Sequence, residues 1–265
     1  MASISYYPIL KAPGCRGWTT LCNFAPNNWE RKESSEKFVN VTWSFGGAWR
    51  TENIGTLAAG GMRSVRMGDV AKIIEADDVL PLLSLTQREL PAHSATLPIL
   101  DVAGTVTPAW RATLGLSTAS ASTSYQGEID PFPPSGSMLT FCPFIQFGDA
   151  VENYLLFLNV ERDPTPRTAQ VEIYDSENAA LKGVADVRSN EITVISLDGF
   201  GIAPSDLPVI VCRTMAAVPL YFSRTTDGAF LSLEHTHPPA SYVIHGKRWE
   251  AQKVLKNLWF SKVVR

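Results

Sequence analysis

Phe38-Val-Asn-Val-Thr-Trp43 sets Val39, Val41 and Trp43 against Phe38, Asn40 and Thr42. Successive side chains of an extended chain point to opposite faces, so this period of two predicts a half-buried β-strand. The same reading extends outward to Arg63-Ser-Val-Arg-Met67, Tyr154-Leu-Leu-Phe-Leu-Asn159, Gln170-Val-Glu-Ile-Tyr174, Glu191-Ile-Thr-Val-Ile-Ser-Leu197, Val209-Ile-Val-Cys212 and Pro219-Leu-Tyr-Phe222. Turn clusters stand between such segments: Gly46-Gly47, Gly60-Gly61, Asp163-Pro-Thr-Pro166, Ser189-Asn190 and Thr226-Asp-Gly228. Strands about every eight to twelve residues, with no long helical pattern between them, predict an all-β fold built as sandwich or barrel.

The composition agrees. The chain has 265 residues, 45% of them hydrophobic and 18% charged, which excludes a mainly disordered polypeptide. Its net charge of −3 argues against general electrostatic capture of nucleic acid.

Four pairs of segments keep their order along the chain and predict a pseudo-repeat. Trp18–Phe24 can be laid over Met138–Phe144, Val39–Trp43 over Ala169–Ile173, Arg63–Asp69 over Ile192–Asp198, and Tyr125–Pro134 over Leu231–Pro239. The expectation is two tandem β-sandwich domains, residues 10–136 with an insertion near 79–108, and residues 137–246. From 247 to 265 the pattern changes. Ala251, Val254, Leu255, Leu258, Trp259 and Val263 recur at helical spacing, and six basic side chains face one acid. This predicts a basic, amphipathic C-terminal helix that packs on its own body or a sister subunit, or makes peripheral membrane contact.

The amino terminus carries no signal-peptide pattern, and no apolar run is long enough to span a bilayer. Cys15, Cys22, Cys142 and Cys212 form no CxxC pair and no zinc spacing. The expectation is a cytoplasmic protein with reduced thiols and no transmembrane segment.

Three of the four histidines fall in Glu234-His235-Thr236-His237 and at His245. On an extended segment His235 and His237 share a face, and His245 on a returning segment would complete a three-imidazole site for zinc or another transition metal. The alternative is that they hydrogen-bond backbone carbonyls, with no cofactor present. The sequence contains no GxSxG, GxxxxGK[ST] or HExxH motif. Trp29, Trp49 and Trp110 sit in turn-rich contexts where an indole can stack on a sugar ring or anchor a partner. Arg213 and Arg224 flank a strand and either meet an anionic ligand or neutralise local acids.

Residues 155–232 resemble the sensory rhodopsin transducer family. The resemblance rests on Phe157-Leu-Asn159, Val171-Glu-Ile-Tyr-Asp175, Leu197-Asp198, Pro204-Ser-Asp206, Val209-Ile210, Val218-Pro-Leu220 and Arg224. It implies a β-sandwich that self-assembles and acts by binding other molecules without catalysis; it implies no binding residue. Together these readings predict a non-enzymatic binding protein, a homo-oligomer, for a carbohydrate-like ligand or a protein partner. Ligand contacts are expected at Trp29, Trp49, Trp110 and Arg224. A metal-binding protein or metalloenzyme using His235, His237 and His245, and a structural subunit of a larger assembly, are the alternatives.

Overall fold

The computed structural model describes residues 2–24, 35–74, 79–101, 112–142, 145–235, 257–258 and 261–262. They form an all-β protein whose sheets are antiparallel throughout their described pairings. The chain divides into two compact units.

Unit 1 comprises Met1–Pro133 with Asn159–Arg167 and Ser189–Ile192. It holds β1 (Ala2–Ser3), β2 (Tyr7–Pro8), β3 (Arg16–Cys22), β4 (Lys37–Phe45), β5 (Ala48–Leu57), β6 (Met62–Arg66), β7 (Leu82–Thr86), β8 (His93–Ser94), β9 (Leu100–Asp101), β10 (Ala112–Ser117) and β11 (Ser122–Gly127). One sheet runs β2-β7-β4-β5-β8, a second runs β11-β10-β3-β6, and β1 pairs with β9. The predicted turn at Gly46-Gly47 joins β4 to β5. Both residues have positive φ (61° and 76°), the backbone that a two-residue hairpin needs and that glycine adopts without a side-chain clash.

The alternation in β4 is real, but both of its faces are buried. Val39, Val41 and Trp43 lie inside on one face; Asn40, Thr42 and Ser44 lie inside on the other. The polar face is closed by hydrogen bonds to chain segments laid over it. The Ser44 hydroxyl donates to the Pro164 carbonyl, and the indole N–H of Trp49, opposite Ser44 on β5, donates to the Arg162 carbonyl. Within the layer, Asn40 Nδ2 donates to Thr86 Oγ1 at 2.8 Å and Thr42 meets Thr51 at 3.0 Å. The segment Asn159–Arg167 therefore supplies part of a lid, and a strand that reads as half-buried becomes interior because its polar groups find partners.

Unit 2 comprises Pro134–Leu158, Thr168–Arg188 and Thr193–Arg265. It holds β12 (Met138–Phe141), β13 (Val151–Leu158), β14 (Thr168–Tyr174), β15 (Leu181–Arg188), β16 (Ile192–Ser196), β17 (Val209–Cys212), β18 (Val218–Thr225) and β19 (Leu231–His235). Its sheets are β12-β17-β14-β15 and β16-β13-β18-β19. Leu155, Phe157, Ile195 and Tyr221 from one sheet share a core with Val171, Ile173, Val187 and Ile210 from the other, so the sheets pack face to face. The continuous apolar run Tyr154–Leu158 marks a strand buried on both faces: Leu155, Leu156, Phe157 and Leu158 are all inaccessible.

The two units have the same strand order. Replacing β2, β3, β4, β5, β6, β7, β10 and β11 by β12 to β19 in turn converts one pair of sheets into the other, with β8 as an addition to unit 1. Of the four matched segment pairs, two fall on strands equivalent in this order, β4 with β14 and β6 with β16; a third overlaps β11 and β19, with 236–239 outside the described residues. The fourth does not: β3 corresponds to β13, and β12 corresponds to β2. Short alternating strands resemble their neighbours in sequence, so order alone misplaced it by one strand. The units also differ from the expected boundaries at 136 and 137, because Asn159–Arg167 and Ser189–Ile192 cluster with unit 1.

None of the four cysteines is in a disulfide. Among the described residues no helix is long and apolar enough to cross a membrane. Asn257–Leu258 and Ser261–Lys262 are helical; the rest of the predicted 247–265 helix lies outside the described residues.

Candidate functional site

The sheet β11-β10-β3-β6 presents two unlike faces. Thr19, Leu21, Val65, Ala112, Leu114 and Leu116 are buried on one. Register places Arg16, Trp18 and Thr20 of β3 on the other, opposite Ser117, Gly115 and Thr113 of β10 and, on the far side, with Arg66 and Ser64 of β6 opposite Trp18 and Thr20. Ser122, Ser124 and Gln126 of β11 continue the same face. It is a polar, largely exposed surface with one aromatic side chain at its centre.

Trp18 is half-buried because it lies across Gly115, its direct partner on β10. A Cβ at Gly115 would fall 2.2 Å from the indole, so only glycine lets the ring rest on the neighbouring strand. Beside it is a groove of about 910 Å³, lined among others by Lys11, Arg16, Trp18, Thr20, Ser64, Arg66, Asp69, Ser117, Thr118 and Ser122. Its floor is fixed by local bonds. Thr20 and Ser64 hydroxyls meet at 2.6 Å, the Ser117 hydroxyl donates to the Arg16 carbonyl at 3.3 Å, and Asp69 accepts the Arg66 N–H at 2.8 Å. That last bond opens the short helix α1 (Met67–Val70) along one rim. Neither Arg16 nor Arg66 is ion-paired to another described residue. The groove thus combines an aromatic surface, hydroxyls and two guanidinium groups that no described residue ion-pairs, with the carboxylate of Asp69 on one rim.

Of the residues expected from sequence, those among the described ones lie elsewhere. Trp49 is the second residue of β5, 1% exposed, and its indole N–H donates to the Arg162 carbonyl at 2.9 Å. It is an interior residue and offers no ring to a ligand, because the turn that precedes it is followed at once by a strand under the lid. Trp29 and Trp110 lie outside the described residues. Arg224 is held by Glu152 at 2.7 Å across β13 and β18, so its charge is already answered. Arg213 is held in the same way, with Nε 3.0 Å from both Glu172 oxygens.

These two arginines form twin arrangements. In each, the residue two positions after the glutamate is a tyrosine whose hydroxyl donates to it, Tyr154 to Glu152 at 2.9 Å and Tyr174 to Glu172 at 2.6 Å. The Tyr154 bond and Arg224 pull the Glu152 carboxyl below the usual carboxylate range. Burial pushes the Glu172 carboxyl up, and the bonds from Arg213 and Tyr174 more than reverse it, for a net lowering. Both are structural ties across unit 2, the neutralising role that sequence offered as the alternative to anion capture.

His235 ends β19 opposite Leu220. His237 and His245 lie outside the described residues, so the three-histidine arrangement does too, and among the described residues no cluster of three metal-ligating side chains occurs. A second, smaller cavity of about 140 Å³ adjoins Asn153 and Asp198. Asn153 is tied there to Asp198 (3.1 Å), to the Gln146 backbone and to the Ser223 hydroxyl (2.7 Å), a network that spends its polar groups on itself.

Trp18 was legible only as part of a strand. The signals that could have singled it out are the parity of Arg16, Trp18 and Thr20, and a glycine in the middle of Ala112-Thr-Leu-Gly-Leu-Ser117. No protein-family model, curated protein or solved structure matches this chain.

Proposed function

We propose that the chain is a non-enzymatic binding protein whose Trp18 face takes an acidic, polyhydroxylated sugar. The observation that carries this reading is the indole of Trp18 resting on Gly115 in a groove with Arg16 and Arg66, neither ion-paired to another described residue. The C–H face of a pyranose covers an indole well, and removing both surfaces from water favours the stack. A guanidinium offers a planar fork of donors that matches a carboxylate. The hydroxyls of Thr20, Ser64, Ser117 and Ser122 donate and accept, as ring hydroxyls require. A groove of about 910 Å³ lies within the range of about 300–1,000 Å³ common for small-ligand sites. The resemblance of residues 155–232 to sensory rhodopsin transducers supports binding over catalysis in the same reading.

Calorimetric titration with trigalacturonate and with the neutral galactose trisaccharide tests it. The acidic sugar is expected to bind more tightly. Trp18→Ala is expected to weaken it by about tenfold, equivalent to about 1.4 kcal/mol. Binding of neither sugar, or binding indifferent to Trp18→Ala in a folded variant, overturns the reading; a protein partner is then the occupant to seek on this face.

A further inference from the structure

The equivalence between the two units exposes a difference at one sheet edge. In unit 1 the edge strand β5 carries a fifth strand, β8, with Ser94 opposite Trp49 and His93 opposite Arg50. The strand equivalent to β5 in unit 2 is β15, and among the described residues nothing pairs with its outer side. β15 is eight residues long, and Leu181 and Val184 on it are 54% and 42% exposed. A long edge with exposed apolar residues presents a row of backbone donors and acceptors to any strand that can match it.

We propose that β15 pairs antiparallel with β15 of a second copy of this chain across a two-fold axis at Val184, making one eight-stranded sheet from two four-stranded ones. The residues of β15 specify the register. Lys182, Val184, Asp186 and Arg188 share a face, which they keep in a continuous sheet. With the axis at Val184, Lys182 of each copy opposes Asp186 of the other and Val184 opposes itself. Moving the axis to Ala185 opposes Lys182 with Arg188, a like-charge pair, which is destabilising in direct opposition. On the other face the same register opposes Gly183 with Ala185, two small residues that leave room for Phe200, which already packs over Gly183. On its own chain Lys182 holds Asp206 at 3.0 Å and Asp186 accepts Gln170 Nε2 at 3.2 Å. An ammonium has three donors and a carboxylate several acceptor sites, so each can take the partner across the axis as well. The two-fold is isologous and closes at a dimer, because pairing consumes the edge on both copies. This goes beyond the sugar-binding reading, which concerns a different sheet of unit 1, and neither depends on the other.

Light scattering on the full chain after size exclusion tests the pairing by charge exchange. The wild type is expected at twice the 29.0 kDa chain mass. Asp186→Lys opposes two lysines at each pair, and Lys182→Asp opposes two aspartates. Each single variant, with its melting curve confirming the fold, is expected at the mass of one chain. The double exchange Lys182→Asp/Asp186→Lys restores opposite charges in the same register and is expected to recover the dimer. A wild type that stays at one chain mass at its highest soluble concentration overturns the proposal. So does a dimer that survives both single changes, or a double exchange that stays monomeric while folded.

Discussion

Trp18 and Gly115 face each other across β3 and β10, and the indole occupies the space where any other residue at 115 would put its Cβ. Glycine within a strand ordinarily weakens it, since it adds backbone entropy and packs nothing. Here the ring of the cross-strand neighbour covers the gap, and its exposure is the consequence of that placement.

Gly115→Val pushes the indole off β10, because the ring cannot move into the buried face of the sheet. Overpacking of this kind costs about 1–3 kcal/mol, read as a lower urea midpoint. Affinity for trigalacturonate should fall as it does in Trp18→Ala. Gly115→Val with unchanged affinity would separate the groove from the ring and remove Trp18 from the site.

Trp49 provides the contrasting case. Trp49→Phe keeps an aromatic ring but removes one of the two donors to the Arg162 carbonyl, which still accepts the Leu97 N–H, at a cost of about 0.5–1.5 kcal/mol. Denaturation should register that loss, while affinity for trigalacturonate in the folded variant should equal the wild type. A loss of affinity at constant stability would return Trp49 to the ligand.

What could be read from the sequence, and what could not, divides along the same line. Period-two alternation identified β4, β6, β14 and β16 because each packs at least one face on a core, and burial imposes that period. It could not tell that Asn40, Thr42 and Ser44 are interior too, since a polar face looks the same under water as under a lid that bonds to it. It placed Trp49 in a loop because Gly46-Gly47 ends only two residues earlier, and hairpins turn within that distance. The groove was hidden because its residues come from β3, β6, β10 and β11, which are distant in sequence and meet only through strand pairing.

On the covered polar face, Asn40 and Ser84 oppose each other across β4 and β7. Asn40 uses its Nδ2 on Thr86, whereas the Ser84 hydroxyl, fully buried, makes no hydrogen bond to a described residue. A buried hydroxyl without a partner has lost hydration and gained nothing in exchange. Ser84→Ala is therefore expected to leave stability unchanged or raise it by up to about 1 kcal/mol. Thr42→Val, which breaks the 3.0 Å bond to Thr51, should lower it by about the same amount. Equal destabilisation by both changes would mean that the Ser84 hydroxyl has a partner in solution.

Acid should act on unit 2 through Glu152 and Glu172. Both carboxyls are held below their ordinary range in the folded chain, Glu152 by Tyr154 and Arg224, and Glu172 by Arg213 and Tyr174 against the effect of burial. In the unfolded chain they return to about 4.3. As pH falls past that value the unfolded state takes up protons first, so stability drops and continues to drop until the folded carboxyls titrate too. The contribution is fully present at neutral pH and is lost on the acid side. Glu172→Gln removes one such group and leaves Arg213 without its carboxylate, which makes the variant less stable than wild type at pH 7. It also removes a proton-uptake difference, so its urea midpoint should decline less steeply than that of the wild type between about pH 5 and about pH 3. The two curves are therefore expected to converge as pH falls. Parallel curves over that interval would show that the Glu172 carboxyl titrates alike in both states and that Arg213 does not hold it.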